Sequence, residues 1–581
     1  MTRRTSLVAI ALVATVWSAR AGTGDDDPTF GVDGFSSAIG SFAVVRPDDT
    51  VRSFGNVFTG DQVAAKLTQA TADGALDLTF GGNGTGTRII PVPNHNVFAQ
   101  GLLRQSGGRT IGFGILRPDG DDDVAGLFGF LDDGSLDATF GVDGVVAGPA
   151  LLATSVQTVF AALLPDDRIA VLTIGPSSML LSLYLADGTT DPGFGDGAPV
   201  SMEVLVEPAI TTSPSGQIVI AGVLPPNTLT VRRYDTDGSI DTDFRSLPFG
   251  AIAARVTDVM VLPDGSVLTL GTTRRDAPNG QAFLTKVQAD GFPDLGFGSG
   301  GIVYLRHFAL HTEGVRMRRQ SDGRVLLLSS ALRSGNVATF VLARLTADGA
   351  LDPTFGTGGR VIVGGEALRG SLILQSDGRA IVAHDAAQRF ETGCPALPDA
   401  DGDGIGDACD PCTGGSVVTG SRLNLKGSFA SPGGWTQLTW RGKVTTSLAG
   451  FAPTSNGPLL LIEDANGRVV TSTWLPANAF LSTTGQAKWT VSGSRFIYKD
   501  RGKPGPLVDG ILSVSVKRAS GGVATISVKE KGATYRVDPS ALPLRATLVL
   551  VPPRGAGDQC VVSAFAPGGC TLKGGTKLSC R

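Results

Sequence analysis

Residues 399–410 read DADGDGIGDACD, a dense run of hard oxygen donors. Asp399, Asp401 and Asp403 stand at positions 1, 3 and 5 of this run, Gly404 at 6, Ile405 at 7, Asp407 at 9 and Asp410 at 12. Alternate carboxylates, a glycine for the sharp turn, a main-chain carbonyl and closing carboxylates are the order in which a chain wraps Ca²⁺. The spacing assigns side-chain ligation to Asp399, Asp401, Asp403 and Asp410, carbonyl ligation to Ile405, and direct or water-mediated ligation to Asp407. Hard carboxylates suit such a cation better than zinc. Six protein oxygens leave little open coordination, so the expected ion is structural. No helical pattern flanks the run, which argues against a helix–loop–helix hand. The competing reading is a solvated acidic linker.

A second set of carboxylates recurs. Asp27, Asp77, Asp137, Asp191, Asp241, Asp294 and Asp352 each stand three residues before a Phe and three after a Gly. A ring of carboxylates at one mouth of a closed fold is one reading. The stronger one is structural: a site written evenly over seven copies is rare, whereas a fold-defining turn must recur. Each Asp is therefore expected to accept bonds within its own turn, with the Phe plugging between units. Other chemistry is sparse. The four histidines are His95, His307, His311 and His384, and no metalloprotease, nucleophile-elbow, phosphate-loop or dinucleotide motif stands in a fitting context. His307 and His311 are four apart but fall in a region read as strand, so they share no helical face. No catalytic residue is assigned. The alternative to a non-enzymatic protein is a hydrolase or lyase acting on polysaccharide through paired carboxylates, or a Ser–His–Asp site assembled across units.

The elements that must carry these residues follow from spacing. Successive Phe positions, from Phe30 to Phe355, are 50, 60, 54, 50, 53 and 58 residues apart. Between them falls a second phrase of apolar residues, a turn and another apolar run, as in VMVLPDGSVLTLG (259–271) and LILQSDGRAIVAH (372–384). Asp-Gly flanked by such runs is a hairpin signal, because Gly accepts the positive φ that tight hairpin turns need. Each period holds three or four short antiparallel strands, too few to bury both faces alone, so neighbours must supply the core. The prediction is an all-β chain whose first 390 residues form a seven-bladed β-propeller, with residues before Gly40 pairing to the short strand at 386–390. The phrase DG-x-L-D-x-x-F-G resembles the delta-60 repeat of secreted bacterial proteins, a resemblance covering roughly residues 24–385. It implies a propeller-like fold and export, and no reaction. Arg245 stands where most copies have Gly, and Pro293 where several have Leu. The acidic segment with its cysteines, 394–412, resembles a single thrombospondin type-3 repeat. In that family these Asp positions bind calcium, which implies the same for Asp399, Asp401, Asp403, Asp407 and Asp410.

Charge divides the chain. Residues 413–581 hold 20 Lys and Arg against 7 Asp and Glu, while the whole chain carries a net charge of −4. The acidic front and basic back imply separate modules. The back, with strand-like runs turning at Asn466-Gly467 and Gly521-Gly522, is expected to be an antiparallel β-sandwich. Its basic surface is either a set of solvated strand faces or a contact for an anionic polysaccharide or envelope component; no nucleic-acid partner is expected. Residues 1–21 pair Arg3 and Arg4 with an apolar run and a small-x-small end, as in an export signal. No run is long enough to span a bilayer, so a secreted, periplasmic or cell-surface location follows. All six cysteines lie at 394 and beyond, three on each side of a long gap. If all pair, at least one bridge joins the two clusters. The expected modules are 22–390 (propeller), 391–412 (calcium loop) and 413–581 (sandwich).

Overall fold

The computed structural model describes residues 24–118, 122–150, 156–245, 255–273, 280–305, 307, 311–332, 338–363, 370–384, 386–393, 399–400, 405, 407–427, 435–448, 450–475, 477–478, 487–501, 510–535 and 537–581. The export segment 1–21 lies outside them, as do Asp401 and Asp403. Up to residue 390 the described chain forms seven antiparallel sheets, six of them meanders of consecutive strands. The second, for example, runs through His95–Arg104, Thr110–Pro118, Val124–Phe130 and Val145–Ala150 in that order. The fourth has three described strands, and residues 246–254 that follow it lie outside the described set.

Middle strands such as Ile169–Ile174 and Val267–Thr272 are buried almost throughout rather than on alternate residues. A strand covered on both faces has no polar side to present, and here the cover comes from the sheets before and after. The repeated Phe marks each junction. Phe140 shares a core with Val159, Ile169 and Val171 of the following sheet, Phe194 with Ile218 and Ile220, and Phe355 with Leu372 and Val382. Phe30 joins Val51 and Ala70 of the first sheet to Ile373 and Ile381 of the last. The last sheet takes its outer strand from the start of the chain: Phe35–Ser36 pairs with Ala387–Phe390, Phe35 opposite Gln388. This is the pairing expected for residues before Gly40. Where the hairpin turn lacks its glycine, Asp49 and Asp167 take positive φ themselves and cross-link neighbouring sheets. Asp49 accepts from the Ser376 amide and hydroxyl at 2.7 and 2.6 Å, and Asp167 from those of Ser106 at the same distances.

Beyond residue 412 the described strands include a sheet of five and a sheet of eight. Trp435, Trp440 and Tyr498 of the larger sheet and Leu460, Ile462 and Leu548 of the smaller share one buried core. Trp474 instead packs against Ala331 and Val341 of the sixth sheet. Cys412 pairs with Cys560 across 148 residues, the bridge between clusters that the odd counts require, and Cys570 pairs with Cys580. No described helix is long and apolar enough to cross a membrane.

The junctions leave no room for a side chain on the repeated glycine. A Cβ on Gly134, at φ +82°, would stand 2.5 Å from the Phe80 ring. Gly134→Ala is expected to destabilise by about 1–3 kcal/mol through overpacking and the unfavourable φ, read as a lower urea midpoint. The open-space Gly82→Ala is expected to cost less.

Candidate functional site

The seven aspartates are built alike. In the third copy Asp137 Oδ1 accepts from the Thr139 amide at 2.9 Å and its hydroxyl at 2.6 Å, closing the turn on itself. Its Oδ2 accepts from Arg109 Nε at 2.7 Å, and the Arg109 guanidinium lies over the Phe140 ring, 5.7 Å from its centroid. Asp352 repeats this with Thr354, with Arg344 and Arg324 at 2.9 and 2.8 Å, and with Arg344 over Phe355. Asp27 does so with Thr29, Arg389, Arg379 and Phe30, and Asp241 with Arg233 over Phe244. Lys286 serves Asp294, Arg168 serves Asp191, and the Gln69 amide serves Asp77.

The cation comes from one of two places. Arg233, Lys286 and Arg344 stand eight residues before their Asp, on the preceding strand; Arg109, Arg168, Arg324 and Arg379 follow the hairpin turn. Where the strand position is Gly129 or Leu183, the turn supplies the arginine. Sequence reasoning found the Asp and the Phe and missed this partner, although the recurring D-G-R and the basic residue eight before Asp were legible. The Thr139 hydroxyl first, then its amide and Arg109, hold Asp137 below the usual carboxylate range against burial. Burial works against the charge on Asp27, Asp191 and Asp241, and their hydrogen bonds and arginines outweigh it. Carboxylates held ionised by three or four donors are turn locks, not proton carriers.

The acidic segment is anchored differently. Asp407 Oδ1 folds back to accept from the Ala400 amide at 2.8 Å. Asp410 is 3% exposed, and its Oδ1 accepts from the Cys412 amide at 2.8 Å. Asp399 and Ile405 are described with them, but among the described residues no group of three or more His, Cys, Asp or Glu is placed to hold a metal. The donor set nonetheless has the chemistry of a hard-cation site: carboxylates, one of them buried, and a carbonyl. It offers no thiolate, because Cys409 and Cys412 are both disulfide-bonded. The Arg554 side chain binds the Ala408 carbonyl and the Asp25 carboxylate, tying the segment to both ends of the chain.

Histidine chemistry is confined to the interior. His307 is buried; its Nδ1 accepts from Arg360 Nε at 3.2 Å, which leaves Nε2 to face Ser329 Oγ at 2.8 Å. Burial, then the Arg360 charge, push its pKa well below 6.5. A serine–histidine pair whose third partner is a guanidinium has the wrong sign for a general base, which needs a carboxylate to stabilise the imidazolium. Ser329 is fully buried as well. His307 and Arg360 border a cavity of about 280 Å³ closed by Trp474 and Pro553, next to a cleft of about 440 Å³ where Arg468 meets Asp348 at 2.7 Å.

Consecutive antiparallel sheets joined by a repeated plug define a β-propeller repeat protein. A family model described as "Domain of unknown function (DUF5122) beta-propeller" matches residues 213–244 and 320–355; each span ends on a repeated Phe. No curated protein matches the chain. Among solved structures, a protein of unknown function from Bacteroides caccae matches at 11% identity, covering 51% of this chain and 90% of its own, with a TM-score of 0.30. The virginiamycin B lyase from Staphylococcus aureus matches at 10% identity, 50% and 94% coverage and a TM-score of 0.27. The WD40 domain of Toxoplasma gondii coronin matches at 8% identity, 64% and 89% coverage and a TM-score of 0.40.

Two outcomes test the buried charges. Asp352→Ala strands the buried Arg344 and is expected to cost about 3–5 kcal/mol, whereas Asp166→Ala, at an exposed pair, is expected to cost about 0–1 kcal/mol; urea midpoints compare them. The His307 pKa is lower folded than unfolded, so the unfolded chain binds the extra proton as pH falls below about 6.5. The His307 contribution is expected to be complete above that value and to decline toward pH 5. His307→Asn is expected to flatten the slope in thermal melts over this window.

Proposed function

We propose that the chain is a secreted, calcium-stabilised, non-enzymatic binding or surface-structural protein. In this reading residues 22–390 are a seven-bladed propeller of delta-60-type repeats that presents its irregular loops to a ligand. Residues 391–412 are a thrombospondin type-3-like loop holding a structural Ca²⁺ through Asp399, Asp401, Asp403, Ile405, Asp407 and Asp410. Residues 413–581 are a β-sandwich that docks to an anionic polysaccharide or envelope component outside the cytoplasm.

The observation that carries the reading is the internal use of the recurring carboxylates. Each is bonded within its own turn and to a basic or amide side chain, so the repeat is spent on architecture and specificity falls to the loops where the copies differ. Disulfides fit an oxidising compartment. When bound, Ca²⁺ would neutralise a segment that otherwise crowds carboxylates together; Asp410 holds its place beside the Cys412–Cys560 bridge, and Asp407 closes the run onto Ala400.

Calcium is expected to raise the melting temperature of the full chain and EGTA to reverse the rise; a melt indifferent to EGTA removes the calcium reading. Incubation with a panel of neutral and acidic glycans, with and without calcium, is expected to show binding without new chain ends. Released product that disappears on changing one propeller carboxylate would replace the scaffold by a hydrolase or lyase.

A further inference from the structure

The eight-stranded sheet has one face on the core and one on solvent, and the solvent face is charged in an unusual way. Its strands lie in the order Ala487–Ser492, Arg495–Asp500, Ile511–Arg518, Val523–Tyr535, Trp435–Thr445, Thr419–Gly427, Lys577–Cys580 and Cys570–Lys573. The only acidic residues in these strands, Asp500 and Glu530, are buried at 8% and 3% exposure and belong to the inner face. Outward positions carry Lys or Arg interleaved with Ser, Thr, Asn and Gln, with the half-buried Ile497 and Val523 among them and no aromatic residue.

Register places like charges directly opposite one another. Lys488 faces Lys499, Arg422 faces Arg441, and Arg495 faces Lys517. Lys577 lies between Lys426 and Lys573. Opposed like charges destabilise a sheet, and a face selected only for solubility mixes both signs. A sequence that keeps such pairs without a carboxylate among them has its countercharge elsewhere. The cations also align across strands. Lys573, Lys577, Lys426, Gln437 and Lys531 form one row over five adjacent strands. Strands about 4.8 Å apart make this a continuous row over five of the sheet's eight strands.

We propose that this face binds a linear acidic polysaccharide laid across the strands, its carboxylate or sulfate groups on the lysine rows and its hydroxyls on the intervening Ser, Thr, Asn and Gln side chains. The proposal rests on the docking role given above to residues 413–581 and specifies its surface and ligand. A continuous row suits a linear polymer. Single-stranded nucleic acid would call for stacking aromatics, and an interfacial membrane contact for a continuous exposed apolar face; outward positions offer no aromatic for the first, and for the second only the half-buried Ile497 and Val523, with Val491 and Leu572 exposed in the two edge strands.

The test measures binding of the full chain, at fixed calcium, to immobilised polygalacturonate, neutral dextran, anionic phosphatidylglycerol vesicles and duplex DNA. Binding to polygalacturonate, weakening as salt rises, is expected to exceed the rest. The variant K426Q/K531Q/K573Q/K577Q is expected to lose about tenfold or more in affinity, as charge neutralisation governs such contacts, while melting at the same or a higher temperature because repulsion is relieved. Unchanged affinity in the variant overturns the face and leaves docking by another surface of the domain standing. Equal binding to dextran, or tighter binding to vesicles or DNA that the variant abolishes, overturns the ligand class. Failure to bind any polyanion overturns the face and the docking role together. The calcium reading, tested by the melt with EGTA, stands or falls separately.

Discussion

Each sheet of the propeller is held to the next by a contact of an aspartate that locks its own turn, a side chain that donates to it (basic in six copies, the Gln69 amide at Asp77), and the repeated phenylalanine, which lies beneath the cation at Phe30, Phe140, Phe244 and Phe355. The parts depend on one another. Without the turn bonds the carboxylate would not face the arginine. Without the carboxylate, Arg344 and Arg389, each about 1% exposed in their side chains, would be uncompensated buried charges, whose cost exceeds that of most single contacts. Without the cation the ring would lose its upper face. The Phe in turn requires the next copy to have no side chain, which is why the glycine recurs at the same offset. The contact thus specifies which surface of one unit meets which surface of the next.

Main-chain bonds extend that specification where side chains vary. The residue after the Phe donates its amide to the carbonyl just before the next repeated Gly: Gly141 to Asp187, Gly195 to Asp237 and Gly298 to Asp348, at 2.8–2.9 Å. Arg245 replaces the usual glycine and makes the same bond to Asp290 at 2.8 Å, since only its amide is needed. Pro293 still bridges Val287 as Leu351 bridges Leu345. The fifth and sixth copies therefore look irregular as sequence and regular as backbone.

This explains how far the sequence could be read. Glycine, aspartate and phenylalanine hold fixed offsets because each meets a constraint with one solution, so the turns, the plug and the strand phrases were legible from residue types alone. The cation was legible only in part, because the constraint on it is a charge at a point in space, and two positions can satisfy it. Arg109 from the turn does what Arg233 does from the strand, so the offset of eight seen at Arg233, Lys286 and Arg344 does not hold across all copies. Burial of strands such as Ile169–Ile174 on both faces was legible too, since sheets of three or four strands must take their cover from neighbouring units. Of the acidic segment, the spacing of Asp399, Asp407 and Asp410 and the chemistry of their donors were legible; the anchoring by Arg554 was not, because it comes from residue 554 and reaches back to Asp25.

The same electrostatics separates the halves of the molecule. In the propeller the recurring aspartates are matched within a contact, while the chain before residue 413 keeps an excess of acidic over basic residues. In the eight-stranded sheet the two strand carboxylates, Asp500 and Glu530, are turned inward, and outward cations oppose one another across the strands. Matched charges consume their field locally, whereas unmatched ones of one sign on a single face add to it over the distance salt allows, roughly 8–10 Å at physiological strength. A propeller built by pairing its charges and a sheet that leaves its own unpaired are two uses of one set of side chains. The second leaves attraction available to an anionic molecule.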